Sequence, residues 1–154
     1  MKKILFIDRD GTLINEPKDF QVDSFQKLEF KASVLKYLSK ISEELDFELV
    51  MVTNQDGLGT KSFPEKDFWP VQNFIIKTLE NEGIYFKEIL IDRTFPDENA
   101  NTRKPNIGLI EKYLVDKNIN IDESFVIGDR ITDLKFAQNI GCKGILINDL
   151  KTTD

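Results

Sequence analysis

The stretch that most constrains the fold is Ile4-Leu5-Phe6-Ile7, followed at once by Asp8-Arg9-Asp10-Gly11-Thr12. An unbroken apolar run with polar residues after it reads as a strand buried on both faces, the kind found in parallel sheets. In open sheets of that kind, ligands bind outside the carboxyl ends of the strands, so Asp8 is expected at the mouth of a crevice. Side chains alternate along an extended chain, which puts Asp10 on the same side as Asp8. Gly11 allows a sharp turn and close approach of the backbone to a ligand. Two carboxylates this close repel unless a cation lies between them, and a hard divalent ion such as Mg²⁺ prefers oxygen ligands. The plain alternative is a solvated turn, since Asp-Gly is a common turn dipeptide. A calcium loop of the EF-hand type fits poorly, because the flank is a strand and Leu13 stands where that loop needs glycine.

The same grammar recurs along the chain. Val34, Leu35, Leu38, Ile41 and Leu45 share one face of a helix expected over about 32–45. A second buried strand, Glu48 to Val52, exits into Thr53-Asn54-Gln55-Asp56-Gly57. A helix is expected from Pro64, interrupted at Pro70 and stopped by Gly83. Strand three, Phe86 to Ile91, leads into a long loop over 92–103; Lys104-Pro105 ends it, with Pro105 opening the next helix. Strand four, Ser124 to Ile127, exits into Gly128-Asp129-Arg130-Ile131-Thr132-Asp133. A short helix closed by Gly141 and a fifth strand, Gly144 to Ile147, complete the pattern. Strands alternating with helices imply right-handed crossovers and an α/β fold, an open parallel sheet covered on both faces. Each polar exit alone has a dull explanation: Thr53-Asn54 a cap or turn, Asp129 a helix cap, Lys104 a solvated lysine. Two acids, a hydroxyl and a lysine at successive exits on one edge are less ordinary.

Composition narrows the chemistry. The 154 residues are 40% hydrophobic, which suits one domain over 1–154. No histidine is present, so any general acid or base must be a carboxylate, Lys, Tyr or Cys. The single Cys142 excludes a disulfide framework and makes a reducing cytoplasm the default. The net charge of −6 argues against a general nucleic-acid surface, and no apolar run is long enough to span a membrane.

Asp8-x-Asp10-Gly11-Thr12, Thr53-Asn54, Lys104-Pro105 and Gly128-Asp129-x-x-x-Asp133 resemble, in order and spacing, the four signature motifs of the haloacid dehalogenase superfamily. Within it the chain is most similar to the histidinol-phosphatases of histidine biosynthesis. Phe6 to Ile14, Asp19-Phe20-Gln21-Val22-Asp23 and Thr53 to Thr60 carry that likeness. The related heptose-bisphosphate phosphatases share the first motif but usually differ after Asn54.

The resemblance implies a Rossmann-like fold and a Mg²⁺-dependent phosphatase acting through an aspartyl-phosphate. It implies that Asp8 is the nucleophile and Asp10 the acid and base. The metal ligands would be the Asp8 carboxylate, the Asp10 carbonyl and Asp129. Thr53 and the Asn54 backbone N–H would bind phosphoryl oxygens. Lys104 would stabilise charge, and Asp133 would orient Lys104 or a metal-bound water. It further implies a small phosphomonoester substrate and, often, a C-terminal imidazoleglycerol-phosphate dehydratase domain in a longer bifunctional protein.

Many members of this branch hold a zinc in the loop before the motif lysine. The corresponding positions here, Asp92, Thr94, Ala100 and Thr102, offer no thiolate or imidazole, so no zinc is expected. The gaps after Asp10 and Thr53 are too short for a large cap domain, so specificity is expected from the loops 15–23, 57–69 and 92–103. Glu16, nearest to Asp10, is the candidate acid for a cationic substrate, whereas Asp19 and Asp23 read as solvated charges. A phospho-accepting receiver domain also gathers acids, Thr and Lys at strand ends, but its lysine comes last, whereas here Gly128-Asp129 follows Lys104. A catalytically dead binding module would not need the complete motif set.

Overall fold

The computed structural model describes residues 1–147, so positions 148–154 of the expected domain lie outside the described residues. Five parallel strands form one sheet: β1 (Lys3–Ile7), β2 (Phe47–Asn54), β3 (Phe86–Asp92), β4 (Phe125–Gly128) and β5 (Lys143–Leu146). Their order is β3-β2-β1-β4-β5, so the chain winds outward one way from β1 and then returns to wind the other way. The reversal makes β1 central and puts α1 (Val34–Glu44) and α2 (Glu65–Asn81) on one face. The other face carries α3 (Glu111–Val115) and α4 (Ile131–Ile140).

Strand alternation sorts the core into these two layers. Leu5, Ile7, Leu49 and Met51 pack with Leu38, Val71, Ile75 and Leu79. Ile4, Phe6, Val50, Val52 and Val126 pack with Tyr113, Phe136 and Ile140. The apolar run of β1 is therefore buried on both faces, and its neighbours fix its register through Ile7 opposite Met51 and Ile127. The site position follows: β1, β2 and β4 end together at the switch point of the sheet. Among the described residues no large cap covers them; residues between β1 and α1 form turns and loops. Among the described residues no helix is long and apolar enough to cross a membrane.

Three local expectations are corrected. Helix α2 runs unbroken through Pro70. Pro70 is exposed and removes one hydrogen bond, while Phe68, Val71, Gln72 and Ile75 bury the opposite face and hold the helix together. Pro105 does not open a helix. It lies in a turn closed by Asn106 N–H donating to the Arg103 carbonyl at 2.8 Å, and helical structure begins only at Gly108–Ile110. Helix α1 starts at Val34, since Ser33 sits at φ 66° in the left-handed region.

Because Pro70 is exposed within a helix that tertiary packing maintains, Pro70→Ala should raise the unfolding free energy by about 1–2 kcal/mol. Urea denaturation measures this, and a loss of stability would show that the ring itself makes a needed contact.

Candidate active site

The first turn after β1 separates alternate side chains. Asp8 and Asp10 both line a cleft of about 400 Å³, while Arg9 between them is completely buried below it. The turn is closed by Leu13 N–H donating to the Arg9 carbonyl at 2.9 Å and Gly11 N–H to the Ile14 carbonyl at 2.7 Å. Gly11 takes φ 85°, and a Cβ there would fall 2.0 Å from Asp129 Oδ2. Glycine is thus required both for the turn and for room beside Asp129.

Lys104 is the centre of the cluster. Its ammonium donates to Asp8 Oδ1 at 2.8 Å and to Asp133 Oδ1 at 3.0 Å, and all three side chains are largely buried. The Asn54 side chain fixes the Lys104 main chain from both ends, its amide donating to the carbonyl and its oxygen accepting from the N–H, each at 3.2 Å. Asn54 lines the cleft, but its side chain serves Lys104. Asp133 stands in the first turn of α4, where its Oδ2 accepts the backbone N–H groups of Asp129 and Arg130 at 3.2 Å. A carboxylate there satisfies otherwise unpaired donors and complements the helix dipole. Gly128 makes this seat possible, since a Cβ would come within 2.2 Å of the Asp133 carboxylate carbon.

Carboxylate oxygens of Asp8, Asp129 and Asp133 lie within 4.8 Å of one another. Asp133 is saturated by Lys104 and two N–H groups, whereas Asp129 Oδ1 is buried without a hydrogen-bond partner. An orphaned carboxylate oxygen facing a second acid fits a hard cation held by Asp8 and Asp129. Electrostatics agree. Burial drives the Asp8 carboxyl well above the ordinary carboxylate range; Lys104 pulls it down, Asp133 pushes it further up, and the net shift is upward. Burial opposes the Lys104 charge, but Asp8 and Asp133 outweigh it and raise its pKa. Burial thus works against the Asp8 charge, and Lys104 offsets it only in part.

Asp10 stands apart from that cluster. Its carboxylate accepts from Arg9 Nε and Gln55 Nε2, each at 2.9 Å. Gln55 also donates to Thr53 Oγ1 at 2.8 Å, and Arg9 donates to the side-chain Oε1 of Gln72 at 2.8 Å. Phe68 lies under the guanidinium, 5.0 Å away. Thr53 lines the cleft and is buried. Arg9, Gln55 and Gln72 were not singled out from the sequence. The signals were a charged residue at the inward phase of Asp8-Arg9-Asp10, and a glutamine in the apolar stripe Phe68, Gln72, Ile75, Leu79.

The rim departs partly from expectation. Loops 15–23 and 92–103 line the cleft through Glu16, Phe20, Pro96 and Arg103, but loop 57–69 contributes no lining residue. Its Leu58 and Phe63 instead form a small apolar cluster with Phe68. Glu16 lies in the cleft paired with Arg130, and burial raises its pKa despite that partner. Arg103 pairs across the mouth with Asp56, at 2.5 Å. Asp19 and Asp23 both pair with Lys27 away from the cleft.

Gly128→Ala should expel the Asp133 carboxylate from its seat and leave the buried Lys104 with one partner fewer. We expect a loss of about 2–4 kcal/mol in urea denaturation. A variant as stable as the parent would show that Asp133 moves freely.

Residues 101–153 match the HAD-hydrolase-like family. The chain is 56% identical over 149 residues to the histidine biosynthesis bifunctional protein HisB of Bacteroides fragilis, covering 96% of this chain and 40% of that protein. The HisB protein of Spirosoma linguale is 52% identical over 147 residues, with 95% and 38% covered. The chain thus spans about 40% of the length of the curated relatives it matches. Among solved structures, the D,D-heptose 1,7-bisphosphate phosphatase of B. bronchiseptica, complexed with magnesium and phosphate, aligns with a TM-score of 0.82 at 25% identity. That alignment covers 95% of this chain and 80% of the other. With its motifs gathered at the switch point of the sheet, the chain is similar in sequence to the leading portion of the HisB proteins and in fold to a haloacid dehalogenase-type phosphatase, with a HAD-hydrolase-like match over its last third.

Proposed function

We propose that the chain hydrolyses a phosphomonoester through an aspartyl-phosphate on Asp8, with histidinol phosphate as the substrate. The observation that carries the reading is the buried Asp8 at the β1 exit, held by Lys104 beside the orphaned oxygen of Asp129. Asp8 and Asp129, with the Asp10 carbonyl, would hold Mg²⁺, which supplies positive charge to Asp8 and to the phosphoryl oxygens. No zinc is required. In the first step an Asp8 oxygen bonds to phosphorus as the bond to the substrate oxygen breaks. Asp10, on the same side of the cleft, gives that oxygen a proton. In the second step Asp10 takes a proton from water as the water attacks phosphorus and frees Asp8. Lys104 and the Thr53 hydroxyl stabilise negative charge on the phosphoryl group, together with the Asn54 backbone N–H. Asp133 acts through Lys104.

The cleft rim is compatible with the substrate. Arg103 and Arg130 each face an acid of the same cleft, Asp56 and Glu16. The acids can take the primary amine of histidinol phosphate, but the arginines would take a second phosphate as readily, so the choice of substrate rests on the likeness to the HisB proteins. The 56% identity to HisB proteins supports the same reading, with this chain as the phosphatase portion of a longer bifunctional protein that carries a dehydratase domain.

Phosphate release with Mg²⁺ over a panel of phosphomonoesters tests the activity. Asp8→Asn should abolish turnover, and Asp10→Asn should lower it by about two to four orders of magnitude. If Asp8→Asn kept more than about a tenth of the activity, the covalent route would be wrong.

Glu16→Gln should raise KM for histidinol phosphate about tenfold, equivalent to roughly 1.4 kcal/mol, with kcat little changed. An uncharged aryl phosphate should be unaffected. Equal losses on both substrates would mean that Glu16 only holds Arg130 in place.

A further inference from the structure

The long loop 92–103 carries, at Asp92, Thr94, Ala100 and Thr102, none of the soft ligands a zinc site needs. The structure shows what stands there instead. Asp92 is the last residue of β3 and only 2% exposed. Its carbonyl accepts from Gln55 N–H at 2.8 Å, which ties its backbone to the exit of β2. Its Oδ2 accepts from the Thr94 N–H at 3.1 Å and the Thr94 hydroxyl at 2.6 Å, and its Oδ1 accepts from the Thr102 hydroxyl at 2.6 Å. Both oxygens are thus occupied by donors, and the carboxylate joins the two ends of the loop. The donor set does not fit zinc: of the four positions only Asp92 offers a carboxylate, both hydroxyls donate to it, and Ala100 has no ligand atom. Cys142 lies elsewhere, at the end of α4, with burial pushing its thiol up to about 11.

The far end of this fastening is Arg103. It follows Thr102 directly, donates to the Thr94 carbonyl at 3.1 Å and pairs with Asp56 across the cleft mouth. Thr94 and Thr102, the two residues Asp92 grips, therefore set both the side-chain anchor and the backbone of Arg103. Lys104 comes next in the chain. We propose that Asp92 is a positioning residue. With Thr94 and Thr102 it fastens the 92–103 loop without a metal and holds Arg103 at the rim of the cleft. Only the kinetic consequence rests on the phosphatase reading.

The test uses Thr102→Val, which removes one hydroxyl at constant shape, beside the harsher Asp92→Ala. Metal analysis of the parent chain should find no bound zinc. Hydrogen exchange of the 93–103 amides should accelerate about tenfold or more in Thr102→Val, with the β1, β2 and β4 amides unchanged. KM for histidinol phosphate should shift by about fivefold or more with kcat within about twofold. Arg103→Ala should shift it in the same direction and to the same extent, and adding Thr102→Val to it should change little more, since the two act through one contact. One tightly held zinc per chain, unchanged loop exchange, or losses that add in the double variant would each overturn the proposal. If no phosphomonoester is turned over at all, the phosphatase reading fails, and the zinc and exchange results still decide the fastening.

Discussion

The site depends on one buried ammonium. Lys104 Nζ lies between Asp8 and Asp133, and the surrounding elements converge to keep it there. Asn54 at the end of β2 grips its main chain, and β1 delivers Asp8. The first turn of α4 holds Asp133 on two backbone N–H groups. An unpartnered lysine at this depth would be strongly disfavoured, so the acids and the lysine are mutually required. The glycines beside them serve the same end. Gly128 leaves room for Asp133, and Gly11 leaves room for Asp129.

The cluster is nevertheless unbalanced, with three carboxylates around one ammonium. Burial, with a smaller push from Asp133, raises the proton affinity of Asp8, and the Asp129 oxygen is left without a hydrogen-bond partner. The orphaned oxygen beside a second acid is the feature that fits a hard cation. Asp10 is treated differently. Arg9 and Gln55 supply its donors from beneath the cleft, away from Lys104. Two acids one residue apart thus sit in separate electrostatic environments, an arrangement that suits two different chemical roles.

Around this rigid floor, loops set the character of the mouth. The rim pairs Arg130 with Glu16 and Arg103 with Asp56, so it presents both signs of charge. The Asp92 carboxylate organises the loop behind Arg103 with three neutral donors. Hydrogen bonds from hydroxyls and an amide can cross-link such a loop much as a metal would, provided the acceptor is buried and fixed to a strand.

The architecture and much of the candidate site are legible in the sequence. Apolar runs of a few residues, each ending in acids, hydroxyls or glycine, specify strands whose exits share one edge, because parallel strands buried on both faces must be apolar up to their ends. Asp8, Thr53 and Asp129 are legible for that reason, whereas Lys104 and Asp133 stand out through the resemblance to the superfamily motifs. What only the tertiary structure decided were features set by partners distant in sequence. Pro70 continues its helix because the opposite face is packed, and local propensity cannot register that packing. Arg9, Gln55 and Gln72 form one network from three elements, so no single stretch announces it. Asn54 spends its side chain on Lys104, and Glu16 finds Arg130, across separations of 50 and 114 residues. Asp92 shows the division most plainly. The sequence reveals that the loop lacks zinc ligands, but only the folded chain brings Thr94 and Thr102 onto one carboxylate.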